Sequence, residues 1–107
     1  MKRRVSMKSM KTVNTYAVPY CAIQRLLKFQ EPFAYSAGTY GWRCDYYSVG
    51  DIIISTGYAP VGKQVKYDLC KKWEGEAKNV SSLPWDKQKE ATNKLLMQFV
   101  EEMKKEA

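Results

Sequence analysis

Residues 33–58, FAYSAGTYGWRCDYYSVGDIIISTGY, decide the predicted fold. Half of the fourteen aromatic residues of the chain lie in this stretch, mixed with β-branched residues and interrupted by glycines. Such runs are typical of β-strands separated by tight turns. We predict strands at 33–37, 41–48 and 51–58. Because the connections between them are short, neighbouring strands should run antiparallel.

The two faces of the predicted sheet differ in composition. Side chains alternate along a strand, so Arg43, Asp45 and Tyr47 share one face of the second strand. On the third strand, Ile53, Ser55 and Gly57 are assigned to the same face. A mixed face of this kind is expected to contact solvent, while helices cover the opposite face.

The segment before the sheet predicts one strand and one helix. Residues 13–18 (VNTYAV) alternate β-forming residues and predict a short edge strand. Pro19 suits the first turn of a helix, and apolar residues follow at helical spacing, which predicts a helix over 19–30. The apolar face of this helix consists of Ile23, Leu26 and Leu27.

The segment after the sheet predicts two helices, over 63–78 and 84–105. The first has apolar residues every four positions, and Pro84 and Asp86 suit the start of the second. The apolar stripe of the last helix consists of Trp85, Leu95, Leu96, Phe99, Val100 and Met103. Together these elements predict an α+β fold, a three- or four-stranded antiparallel sheet with helices packed on one face, in the order (β)-α-β-β-β-α-α.

The net charge of +7 is unevenly distributed. Residues 1–12 contain five basic and no acidic residues, whereas residues 13–107 contain thirteen basic and eleven acidic residues. We therefore predict a basic flexible tail at 1–12 and a single α+β domain at 13–107. A basic tail favours anionic partners such as nucleic acid. Its basic residues are Lys2, Arg3, Arg4, Lys8 and Lys11.

Residue types that enzymes commonly use are scarce. The chain has no histidine, which removes the commonest general base and the commonest metal ligand. Cys21, Cys44 and Cys70 lack disulfide or zinc spacing and are interpreted as small core residues. We predict a non-enzymatic protein with no catalytic residue, no metal and no cofactor. No apolar run approaches the ~20 residues of a membrane span, so we expect a cytoplasmic protein without membrane contact.

The candidate binding residues lie on the predicted sheet. Tyr35, Tyr40, Arg43 and Tyr47 place rings and a cation on or beside strands, and such surfaces stack unpaired bases at about 1–3 kcal/mol each. With the basic tail, this predicts a small module that binds nucleic acid or a nucleic-acid-bound protein. Tyrosine and arginine also form protein-binding hot spots, so a protein–protein interaction module stays open, as a homodimer or as a mobile-element-encoded inhibitor of a host protein. A third interpretation is that the aromatic residues only pack within the sheet.

A Tyr-Gly-Trp motif and a later Thr-Gly-Tyr motif with a proline soon after frame the second and third strands. These positions are Tyr40, Gly41, Trp42, Thr56, Gly57, Tyr58 and Pro60. The pattern resembles a recurring segment in small uncharacterised proteins of Gram-positive gut-type bacteria and their mobile elements. The resemblance covers about a quarter of the chain. It implies a small intracellular accessory protein and no particular activity.

Overall fold

A computed structural model of the chain describes residues 14–106. Its elements are β1 (Thr15–Pro19), β2 (Ala34–Ala37), β3 (Arg43–Val49), β4 (Ile52–Gly57), β5 (Lys63–Gln64), α1 (Tyr67–Asn79) and α2 (Trp85–Glu106). The strands form one mixed sheet in the order β2-β3-β4-β1-β5, and the two helices follow. The α+β class is therefore confirmed, but the predicted order is wrong, since the observed order is β-β-β-β-β-α-α. The predicted basic tail at 1–12 lies outside the described residues.

The β2-β3-β4 meander confirms the antiparallel part of the prediction. β2 pairs with β3 from Ala34 opposite Tyr46, and β3 pairs with β4 down to Val49 opposite Ile52. Only Gly50 and Asp51 remain to make the second turn, and Gly50 has a φ of 62°. Glycine adopts such a positive φ without steric cost, so this position fixes a tight hairpin.

β1 is an interior strand rather than the predicted edge strand. It lies between β4 and β5 and runs parallel to both, so the prediction of an antiparallel sheet is wrong. Tyr16, Ala17 and Val18 are all buried, because protein covers both faces of the strand at this point. The alternation that suggested a strand was correct, but it did not reveal which neighbours the strand would have.

The predicted helix over 19–30 is wrong. The chain forms one 3-10 turn, Tyr20–Ala22, and then irregular turns through residue 29. Its apolar residues are nevertheless buried, since Ile23, Leu26 and Leu27 all lie in the main core. Helical spacing therefore predicted which side chains are buried, but not the backbone conformation that buries them.

β5 occupies the start of the predicted third segment. Lys63–Gln64 pair with β1, and the helix begins only at Tyr67, so the predicted start at residue 63 is wrong. The connection over residues 58–62 crosses the sheet between β4 and β5. Ser55 Oγ donates to the carbonyl oxygen of Val61, which holds this connection against the sheet.

The connection changes which sheet surface is free. It crosses the face opposite the helices, where Ala17 and Ser55 are fully buried. Cys44, Tyr46 and Ile53 form a second small buried cluster on the same face. The expectation of a bare sheet face is therefore wrong at the centre of the sheet.

The register also corrects the predicted faces. Asp45 pairs with Thr56 and Tyr47 pairs with Ile54, so the Arg43, Asp45 and Tyr47 face is the one that the helices cover. The prediction had grouped these residues with Ser55 and Gly57. A two-residue turn sets the pairing, and a shift of one residue moves every side chain to the other face.

α1 and α2 cover one face of the sheet, as predicted. Leu96, Phe99, Val100 and Met103 of α2 are buried in the main core, and Cys70 and Ala77 of α1 join them. Trp85 departs from the predicted stripe, because 65% of it is exposed at the start of α2. Its ring instead lies edge-on to Phe29, with the two centroids 5.0 Å apart.

Replacing Thr56 by valine should make the folded protein more stable. Its hydroxyl is buried at 1% exposure and has no hydrogen-bond partner among residues 14–106. Thr56→Val removes this unpaired group while keeping the shape, so we expect the free energy of unfolding to rise by about 1 kcal/mol. The melting temperature, measured by circular dichroism, should rise by roughly 4–8 °C.

Ser55→Ala is the matched control for this substitution. Its hydroxyl is equally buried but donates to Val61, so its removal should lower the free energy of unfolding by about 1 kcal/mol. Changes of the same sign in the two variants would contradict the assignment of the Thr56 hydroxyl as unpaired.

Candidate aromatic groove

An open groove of about 480 Å³ lies at the carboxyl ends of β1 and β4. These two parallel strands end side by side, with Pro19 opposite Gly57, and the chain leaves both at this point. The residues that line it, which we call the aromatic groove, are Pro19, Tyr20, Cys21, Arg43, Asp45, Gly57 and Tyr58. The first residues after the two strands and the first residue of β3 therefore form its wall.

Gly57 allows β4 to lie close against β3 at one side of the groove. Its φ is 141°, and a Cβ built there would lie 2.2 Å from the Arg43 carbonyl oxygen. The next residue, Tyr58, donates its backbone N–H to that same oxygen at 3.0 Å. Glycine is required because the backbones of β3 and β4 approach too closely for a side chain.

Arg43 is held in a fixed orientation in the groove. Its Nε donates to Asp45 Oδ1 at 2.8 Å, and this hydrogen bond raises the pKa of Arg43 above its ordinary value. The guanidinium carbon lies 4.1 Å from the ring centroid of Tyr35, within cation–π distance. Tyr35 and Asp45 thus hold a planar cation whose side chain is still 53% exposed.

Among the described residues, the predicted site residues do not all come together. Tyr35 and Arg43 are in contact, and 60% of Tyr35 is exposed. Tyr47 is half-buried against the main core, and burial raises the pKa of its hydroxyl. Tyr40, which is 94% exposed, lies in the hairpin between β2 and β3. The basic residues predicted in the tail lie outside the described residues.

The sequence interpretation missed two tyrosines of the groove as binding residues. Tyr20 and Tyr58 are 55% and 81% exposed. Each directly follows a strand, and the two strands are neighbours only through the parallel pairing of β1 with β4. In both cases the last residue of the strand, Pro19 or Gly57, is followed by a tyrosine. This signal is informative only once the pairing of β1 with β4 is known.

The cysteines occupy three different environments. Cys44 and Cys70 are buried, as predicted, and burial raises the pKa of the Cys70 thiol to about 11, which keeps it protonated at neutral pH. Cys21 is exposed at the groove, so its interpretation as a core residue is wrong.

Residues 14–106 contain neither a candidate metal site nor a candidate membrane-spanning helix. No three His, Cys, Asp or Glu side chains in this range converge in a way that could hold a metal ion. No helix in the same range is long and apolar enough to cross a membrane.

Comparison of the chain with protein-family models, with curated proteins and with solved structures gives no match.

Proposed function

We propose that this protein is a small non-enzymatic binding module that engages single-stranded nucleic acid through the aromatic groove and the basic segment at 1–12. The observation that carries the proposal is the fixed Arg43 guanidinium, stacked on Tyr35 and bordered by exposed Tyr20 and Tyr58. Proteins that bind unpaired bases use this combination of aromatic faces and arginine.

In this proposal, two parts of the chain make different contributions to binding. Asp45 pairs with Arg43, so the groove offers flat rings with little net charge. Base stacking depends on such surfaces and tolerates different sequences. Attraction of phosphates would come from the five basic residues at 1–12.

The Arg43–Asp45 pair also favours a second candidate, a protein-interaction module. A groove with balanced charge and exposed tyrosines suits a neutral or weakly charged peptide, for which tyrosine and arginine act as hot spots. Deletion of residues 1–11 discriminates between the two. It should greatly weaken nucleic-acid binding, but it should leave binding of a protein partner in the groove nearly unchanged.

Tyr58→Ala should weaken binding of a fluorescent single-stranded oligonucleotide by about 5- to 150-fold, which corresponds to the loss of one stacked base. Fluorescence anisotropy titrations of single- and double-stranded DNA and RNA at two salt concentrations measure this effect. The wild-type protein should prefer single strands, and its affinity should fall as salt rises.

Trp85→Ala is the control, because Trp85 is similarly exposed but begins α2, and does not line the groove. Its oligonucleotide affinity should equal that of the wild type. Undetectable binding at low salt, or equal losses in the Trp85 and Tyr58 variants, would overturn the proposal.

A further inference from the structure

Among residues 14–106, β2 is an edge strand whose outer backbone groups have no partner strand. It pairs with β3 on one side, and no segment within residues 14–106 pairs with its other side. Gly38, the first residue after β2, donates its N–H toward β3, to the carbonyl oxygen of Trp42 at 2.9 Å. Hydrogen-bonding direction alternates along an antiparallel strand, so Ala34 and Ser36 also bond inward. Tyr35 and Ala37 therefore point their N–H and C=O groups away from the sheet.

This edge lacks the usual protection against pairing with another strand. Natural edge strands commonly carry lysine or another charge for this purpose. Residues 32–42, PFAYSAGTYGW, contain no charged residue. Pro32 precedes the strand and does not interrupt it. As far as residues 14–106 are concerned, the edge is open for one more strand, and its own residues place no charge in the way.

We propose that two copies of this chain form a dimer by antiparallel pairing of their β2 strands across a two-fold axis at Ser36. In that register, Tyr35 of one copy faces Ala37 of the other, and the reverse pair is identical. Each such pair exchanges two hydrogen bonds, so the outward backbone groups of both edges are all satisfied. The result is a closed assembly with one continuous ten-stranded sheet.

Charge and shape favour a second copy over other occupants. The molecule has a net charge of +7, so two copies repel each other overall, and this repulsion is weakest where the contacting surfaces carry no charge, as at this edge. The nearest charged pair, Arg43 with Asp45, is internally balanced. Each tyrosine would lie opposite an alanine, and Ala34 would face Gly38, so large side chains meet small ones.

The dimer goes beyond the proposed function and does not depend on it. It would, however, place two Tyr35–Arg43 pairs on one face of the joined sheet. Because β2 is only four residues long, the interface should be small and the association reversible.

Sedimentation velocity of the full chain, over roughly 10 μM to 1 mM, tests the proposal. The wild type should show a reversible monomer–dimer equilibrium. Ala37→Pro removes an outward N–H from each copy without removing a bond to β3, so it should raise the dissociation constant at least about tenfold. Tyr35→Lys places like charges across the axis and should have a similar effect.

Tyr67→Lys is the matched control, since it adds the same charge at an exposed tyrosine that begins α1, outside the uncharged segment 32–42, and should leave the dissociation constant unchanged. Circular dichroism establishes that the variants are folded. Amide hydrogen exchange gives an independent readout, because exchange at Tyr35 and Ala37 should slow as the protein concentration rises. A wild-type chain that stays monomeric at every concentration overturns the proposal and leaves the edge to an extended segment of another protein. A dimer that survives both edge variants, with fast exchange at these two amides, also overturns it.

Discussion

Replacing Glu74 by alanine should lower the free energy of unfolding by about 2–3 kcal/mol. The residue lies on α1 but is only 5% exposed, and its two carboxylate oxygens share the backbone N–H of Arg25 in a bifurcated hydrogen bond, at 2.8 and 3.1 Å. Hydrogen bonds to a charged group contribute about 1.5–3 kcal/mol, and their loss leaves the N–H without its partner. The melting temperature, followed by circular dichroism, should fall by roughly 10–20 °C.

Arg25→Ala separates the backbone contact from the ion pair. The Arg25 guanidinium also contacts Glu74, at 3.4 Å, but its side chain is 50% exposed, and exposed pairs contribute at most about 1 kcal/mol. Because Arg25→Ala keeps the backbone N–H, we expect a loss of less than about 1 kcal/mol. Glu74→Gln retains one acceptor oxygen and should fall between the two. Equal losses in the Arg25 and Glu74 alanine variants would show that the side-chain pair, not the backbone contact, holds this segment.

The burial of Glu74 and its contact with a backbone N–H are not predicted by the sequence. Mixed charges on a helix, as on α1, are typical of a solvated face, yet the Glu74 carboxylate is buried. Its partner is a backbone N–H 49 residues away, in a segment that was predicted to be a helix with its own hydrogen bonds. No side-chain pattern marks a backbone donor of this kind. The wrong helix at 19–30 and the unexpected burial of Glu74 therefore have the same cause.

The parts of the fold that could be predicted depend on local signals. The β2-β3-β4 meander was predicted within a few residues, because glycine turns and short connections allow little except antiparallel neighbours. α2 was predicted at 84–105 and runs over Trp85–Glu106, since a long apolar stripe with a proline at its start is a strong signal.

The parts that could not be predicted depend on contacts between distant segments. β1 pairs in parallel with β4 and with β5. Because parallel pairing requires no tight turn, no local sequence pattern indicates it. β5 is only two residues long, too short for any periodicity. The groove is a consequence of that pairing, so Tyr20 and Tyr58 could not be grouped from sequence. By contrast, Arg43 and Tyr35 were correctly associated, because both belong to the predictable hairpin.

Gly57→Ala should have the largest effect on stability, a loss of about 3–5 kcal/mol. The added Cβ would lie 2.2 Å from the Arg43 carbonyl oxygen and 2.7 Å from Cys44 Cα, which are both backbone atoms with little freedom to move. The φ of 141° adds strain, because residues other than glycine rarely adopt it. Overpacking and strain each contribute about 1–3 kcal/mol. Urea denaturation measures the change, and a variant that does not fold meets the same expectation.

Gly75→Ala should have the opposite sign. Gly75 is exposed within α1, and a Cβ there meets nothing within 4 Å. Alanine is a better helix former than glycine by about 1 kcal/mol, so the free energy of unfolding should rise by up to that amount. The same substitution thus separates two roles of glycine: at 57 it permits two strands to touch, and at 75 it only weakens a helix. A Gly57 variant as stable as the wild type would mean that β3 and β4 separate easily, and the groove they form would then have no fixed shape.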